Sequence, residues 1–163
     1  MLIDSHSHID TEAFDADRAA VIARARAAGV HEQIVPAIAR QSWAHLRQVC
    51  HTHAGLHAAY GLHPMALDQH QPQHLLDLAA IIKDEQPLAI GECGLDLFVE
   101  GLDREQQYHY FNAQLELARE HDLPVIVHAR RAFDEVAACL RRIGGLRGVV
   151  HSFSGSRQQA EQF

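Results

Sequence analysis

Val125-Ile126-Val127-His128 sets three β-branched residues in a row behind Pro124 and ends them on a histidine. Three other runs repeat the plan: Leu88-Ala89-Ile90-Gly91-Glu92, Gly148-Val149-Val150-His151 and Leu2-Ile3-Asp4-Ser5-His6-Ser7-His8. Each is too short for a helix and is bounded by Gly, Pro or polar residues, so each reads as a buried parallel strand. His6 and His8 are two apart and therefore point to the same side of a strand. In parallel α/β sheets, chemistry gathers at the carboxyl ends of the strands. The four runs should bring four histidines and Glu92 to one rim, as a metal site of the two-metal kind.

Working outward, the segments between these strands read as helices. Asp15 or Asp17 can cap a helix over 18–28, with Gly29 stopping it. A strand over 32–37 and a helix over 42–51 follow, then a strand over 57–62 that delivers His63-Pro64. Pro72 suits the first turn of a helix striped by Leu75, Ala79 and Ile82. Gly91-Glu92-Cys93-Gly94 reads as a glycine-rich turn. Asp103 with Gln106 forms a capping box for a helix to about His121, with Tyr108, Phe111, Leu115 and Ala118 on its inner face. Ala132, Val136, Leu140 and Ile143 line another helix, closed by Gly144-Gly145, and Ser154 or Ser156 opens a last one.

Strand and helix thus alternate through six units, the pattern of right-handed βαβ crossovers. No GxGxxG or GxxxxGK[ST] follows any strand, which weakens a nucleotide-binding open sheet. Candidate ligands on four separate strands favour a circular rim. The predicted fold is a TIM-type (β/α)8 barrel, with residues 1–163 forming a single domain that covers about its first six units. A whole barrel takes about 250 residues.

A formal net charge of −7 argues against a protein that coats nucleic acid electrostatically, though not against nucleic acid as a substrate. Cys50, Cys93 and Cys139 form no CxxC pair, which suits a reduced, cytoplasmic protein. No basic, apolar leader and no membrane-length apolar run is present, so membrane insertion and secretion are not expected. Of the 14 histidines, His45, His51, His53, His70, His74, His109 and His121 fall on polar faces or in loops and read as bland.

His6-Ser7-His8, Gly61-Leu62-His63-Pro64, Gly91-Glu92-Cys93-Gly94-Leu95-Asp96, Pro124-Val125-Ile126-Val127-His128-Ala129-Arg130 and Val150-His151-Ser152-Phe153-Ser154-Gly155 together resemble the TatD family of metal-dependent hydrolases, TIM barrels of the amidohydrolase superfamily. Leu97-Phe98 after Leu95-Asp96 is similar to the YjjV-like subgroup. The resemblance implies two divalent ions (zinc, magnesium or manganese): His6 and His8 on one, His128 and His151 on the other, and Glu92 bridging both. It further implies a metal-binding aspartate in a Thr-Asp-x-Pro stretch at the end of an eighth strand, which falls beyond residue 163. The chain therefore reads as a fragment of a longer protein, with a truncated form lacking the last ligand as the alternative. The implied activity is that of a phosphodiesterase acting on DNA, as a DNase or 3′–5′ exonuclease.

Each of these residues has a plainer reading. His6 and His8 could be a solvated strand end, Glu92 a turn cap, and His128 and His151 satisfied core histidines. Asp4 could orient an imidazole or make an ordinary hydrogen bond. His63 could contact substrate or fix its loop, and Arg130 could face an anionic oxygen or make a surface salt bridge. Asp96 could brace the loop behind Glu92, and Cys93 reads as packing. Hydrolysis of amides or other esters on the same metal site stays open, as does a non-catalytic metal-binding chain. Nothing in the pattern sets an oligomeric state.

Overall fold

The short aliphatic runs do pair in parallel, each with the next in sequence. The computed structural model describes residues 1–163. Strands β1 (Leu2–Asp4), β2 (Val30–Pro36) and β3 (Leu56–Ala59) form one sheet, and β4 (Ile90–Asp96), β5 (Val125–Arg130) and β6 (Gly148–Val150) another. A single bridge between Tyr60 and Ile90 joins them. Helices α1 (Arg18–Ala27), α2 (Trp43–Thr52), α3 (Gln73–Glu85), α4 (Arg104–Glu120) and α5 (Phe133–Ile143) return the chain between strands, and a short α6 (Arg157–Ala160) follows β6. These are six βα units of a TIM-type barrel.

Alternation along β5 shows where the two faces lie. Val125, Val127 and Ala129 point outward into the main core, among Leu115 and Val136 of the surrounding helices. Ile126 points inward, where it meets Ala59, Ala89 and Ile34 in a small apolar layer. His128 is two residues further along and belongs to the next layer up. The barrel interior is thus a narrow apolar floor beneath a polar rim.

Two strands depart from the sequence reading. β1 is three residues long and not buried: Leu2 and Ile3 are 60% and 62% exposed. It is hydrogen-bonded only to β2, as β6 is only to β5, so its outer face and edge lack a neighbour. His6 and His8 lie beyond its end, although the Ser7 N–H still donates to the Ile34 carbonyl at 3.0 Å and keeps the segment alongside β2. The Gly91–Gly94 stretch is not a turn but the middle of β4. Its glycines serve close approach: a Cβ on Gly94, at φ +147°, would stand 2.0 Å from the His128 carbonyl oxygen.

The long helix α4 is capped by Asp103, whose carboxylate accepts the Gln106 N–H at 3.1 Å. Its buried stripe also differs from expectation. Tyr108 is half-buried, and the inner face includes Gln107, Tyr110 and Gln114 beside Phe111, Leu115 and Ala118. No helix is long and apolar enough to cross a membrane.

Candidate metal centre

Glu92 projects from β4 into the rim and is 1% exposed. A carboxylate taken out of water needs positive or donor partners. It has five imidazoles within 3.4 Å. They divide between its oxygens. Oε2 faces His6 Nε2 at 3.2 Å and His8 Nε2 at 3.4 Å. Oε1 faces His63 Nε2 and His128 Nδ1, each at 3.1 Å, and His151 Nε2 at 2.6 Å. Burial alone would push Glu92 up, but the imidazoles of His128, His151, His6 and His63 beside its oxygens outweigh it and hold the group far below the ordinary carboxylate range.

Proton bookkeeping suits a cation better than hydrogen bonds alone. His6 Nε2 and His8 Nε2 stand 3.0 Å apart and face one point beside Oε2, where an ion would take the lone pairs of both neutral rings. Donors that each lie about 2.1 Å from one ion stand about 3.0–3.4 Å apart at octahedral or tetrahedral angles. The three separations in this group, 3.0, 3.2 and 3.4 Å, span that interval. The Nδ1 atoms of His6 and His8 are buried without partners. Imidazole and carboxylate together suit zinc, manganese or a similar ion.

A second compact group is His63, Glu92 and His128. Within it the two rings differ in kind. His63 Nδ1 accepts the Met65 N–H at 3.0 Å, so in the neutral ring the proton sits on Nε2 and is donated toward Glu92. Burial draws His63 below its ordinary pKa, which favours that neutral form. His128 presents Nδ1 to Glu92 while its Nε2 lies 3.0 Å from Asp96 Oδ2. In the neutral ring the Asp96 contact favours the proton on Nε2, and the lone pair of Nδ1 would then be available to an ion beside Glu92. His151 closes on Glu92 Oε1, but its ring also stacks on His6 at 3.9 Å between centroids.

Several sequence assignments take a different form. Asp4 orients no imidazole; its exposed carboxylate accepts the His6 backbone N–H at 3.0 Å. Arg130 makes no surface salt bridge, and its guanidinium instead lies over the Phe98 ring. Asp96 does more than brace a loop: it contacts His128 and accepts the Phe98 and Val99 N–H groups. Those contacts overcome its burial and keep it below the usual carboxylate range. Cys93 is fully buried against the Ile126 carbonyl, and burial pushes its thiol up, as packing requires.

Sequence reasoning missed Gln107, Gln114 and Asp10. Gln114 on α4 accepts the Leu62 N–H at 2.8 Å and donates to the Leu62 carbonyl at 3.1 Å. Gln107 does the same for Asp96, at 2.8 and 3.0 Å. Each amide thereby holds the backbone that carries His63 or that contacts His128. Two glutamines seven apart on an otherwise apolar stripe were the available signal. Asp10 is 7% exposed, has an unpartnered Oδ1, and is pushed up by burial.

A family model described as TatD related DNase matches residues 3–163. The chain belongs to the TatD family. Within the family it is 42% identical to the uncharacterized metal-dependent hydrolase YjjV of Escherichia coli K12, over 99% of this chain and 63% of that protein. It is 34% identical to the 3′-5′ ssDNA/RNA exonuclease TatD of Pantoea sp., over 98% of this chain and 63% of the relative. The crystal structure of E. coli YjjV superposes with a TM-score of 0.94 at 41% identity, covering 99% of this chain and 63% of that one. A TatD family hydrolase from Entamoeba histolytica, at 21% identity and a TM-score of 0.87, shares the fold. The chain thus spans a little under two thirds of the TatD-family relatives it matches.

Proposed function

We propose that residues 1–163 form one hydrolase domain whose centre holds two divalent cations and cleaves phosphodiesters in nucleic acid. The observation that carries this reading is the division of Glu92: one oxygen faces His6 and His8, the other faces His128 and His151. A single carboxylate between two sets of imidazoles is the arrangement of a bridging ligand. Bound ions of this kind make a water available as hydroxide near neutral pH and take up charge on the attacked and leaving oxygens. His6 and His8 would hold one ion, and His128 and His151 the other, with Glu92 shared. Asp96 favours the proton of a neutral His128 on Nε2, and His63 presents an N–H donor on the same rim. The exonuclease name of the Pantoea relative supports a nucleic-acid substrate.

The test is elemental analysis of the intact protein, followed by turnover of bis(p-nitrophenyl) phosphate, of end-labelled single-stranded DNA, and of a p-nitroanilide, with Mg²⁺ or Mn²⁺ added. Two metals per chain and cleavage of the two phosphodiesters are expected. Turnover of the anilide alone would move the reading to amide hydrolysis. Absence of bound metal would remove it.

A further inference from the structure

Immediately above the centre, two guanidiniums stand without a carboxylate. Arg130 follows His128 by two on β5, so it projects on the same inward side, one layer nearer solvent. Its Cζ lies 3.8 Å from the centre of the Phe98 ring, and that of Arg131 lies 4.7 Å from it. All three residues are exposed, Phe98 by 42%. Six other arginines are spent in ion pairs with Asp or Glu, and neither of these two is among them.

The group is built into the centre rather than loose on the surface. The Leu97 N–H donates to the Arg130 carbonyl at 2.9 Å and ties the β4 exit to the β5 exit. Asp96 Oδ1 accepts the Phe98 and Val99 N–H groups at 3.0 and 3.1 Å while its other oxygen contacts His128. One carboxylate therefore fixes both a candidate ligand and the loop bearing the aromatic ring. Chemistry then narrows the ligand. A chain of net charge −7 repels polyanions at long range, so a nucleic-acid substrate needs local donors where it meets the rim. Guanidinium forks match phosphate oxygens in bidentate fashion. Phe98, 42% exposed, can present a face to an unstacked base once a guanidinium leaves the ring for phosphate, whereas a duplex keeps its bases inside.

We propose that Arg130, Arg131 and Phe98 form a docking platform for single-stranded nucleic acid, with the guanidiniums on phosphates next to the bond presented to Glu92 and Phe98 against a base. The platform rests on the phosphodiesterase reading above and names how that substrate is held. Binding of a fluorescein-labelled, hydrolysis-resistant phosphorothioate oligothymidylate to the intact, Mn²⁺-loaded protein, measured by anisotropy across a salt series, tests it. Each phosphate contact on a single strand contributes about 0.7 to the slope of log affinity against log salt. R130A/R131A should therefore lower that slope by about 1.4 and weaken binding by roughly tenfold or more. R130K/R131K should keep the slope and lose part of the affinity, because lysine lacks the planar fork. F98L should weaken binding about fivefold or more with the slope unchanged. Arginine and phenylalanine variants that bind with wild-type affinity and slope overturn the platform. A wild-type protein that hydrolyses bis(p-nitrophenyl) phosphate but does not bind the oligonucleotide overturns it while leaving the phosphodiesterase reading intact. A wild-type protein inert toward both overturns the two together.

Discussion

Replacing Gln114 with Leu keeps the bulk of a fully buried side chain and deletes three hydrogen bonds. The one to the Tyr110 carbonyl lies within α4, where that oxygen retains the helix ladder. The other two satisfy the N–H and C=O of Leu62, which have no helix or strand partner of their own. A buried backbone group stripped of its partner costs about 1–3 kcal/mol, so the pair costs roughly 2–6 kcal/mol. The added apolar burial of leucine offsets about 1 kcal/mol. A net loss of about 3 kcal/mol lowers the unfolding midpoint by about 6–12 °C in a domain of this size. Differential scanning calorimetry of the intact protein, with Gln48→Leu on the exposed face of α2 as control, measures it. Because Leu62 precedes His63, turnover of bis(p-nitrophenyl) phosphate should fall as well. A midpoint shift under about 2 °C, or one matched by the control, would refute the claim that this amide holds the β3 exit.

In the metal-free protein the contacts of Glu92 with His8 and His128 should contribute most between about pH 4.5 and 6.5, while His63, drawn down by burial, opposes them as it charges on acidification. A Glu92 hydrogen bond, working against burial, raises His8, and bonds to Glu92 and Asp96 outweigh burial to raise His128, so their contribution is complete below 6.5 and fades as pH climbs through the raised values. Glu92 is lowered, so its contribution is present above 4.5 and fades on acidification. Ions need neutral imidazoles, so the gap in unfolding midpoint between metal-loaded and chelator-treated protein should widen from pH 5.5 to 8; a constant or narrowing gap would count against these shifts. Glu92→Gln should abolish binding of at least one ion by elemental analysis and with it most turnover; two retained ions and full rate would contradict a bridging role. Gly94→Ala should destabilise by about 3 kcal/mol or more, read by denaturant unfolding, because its Cβ would collide with the His128 carbonyl; an unchanged midpoint would mean β4 and β5 can part freely.

The alternation of strands and helices was legible because it depends on patterns only a few residues long. The convergence of His6, His8, Glu92, His128 and His151 was also foreseeable, since parallel strands present their carboxyl ends to one rim. Features set by distant neighbours were not. β1 looks buried from its composition, but burial depends on what covers it, and Leu2 and Ile3 face solvent. Gly91 and Gly94 resemble a turn in isolation; only the approach of β5 shows that they keep a strand clear. Asp96 and His128 are 32 residues apart in the chain, and Arg130 and Phe98 owe their contact to the same β4–β5 pairing. Gln107 and Gln114 offered only their seven-residue spacing on an apolar stripe, because glutamine carries no sign of whether its partner is water or backbone.

The single bridge between β3 and β4 gives the barrel wall a seam. Around it the Gly91 N–H reaches the Tyr60 carbonyl at 2.9 Å, and Ala37 exchanges bonds with Gly91 and Glu92 at 3.2 and 3.0 Å. His6 and His8 belong to the strands on one side, and Glu92, His128 and His151 to those on the other. On the proposed ligand set, an ion between the His6–His8 pair and Glu92 would clasp the two three-stranded sheets together across this seam. Chelation would then lower the free energy of local opening at this line more than elsewhere, so that amides of β4 near Gly91 exchange early while those of α4 and α5 stay protected. Metal loading would thereby stiffen the join between the two sheets, and a protein without its ions would part along the β3–β4 line before it unfolds.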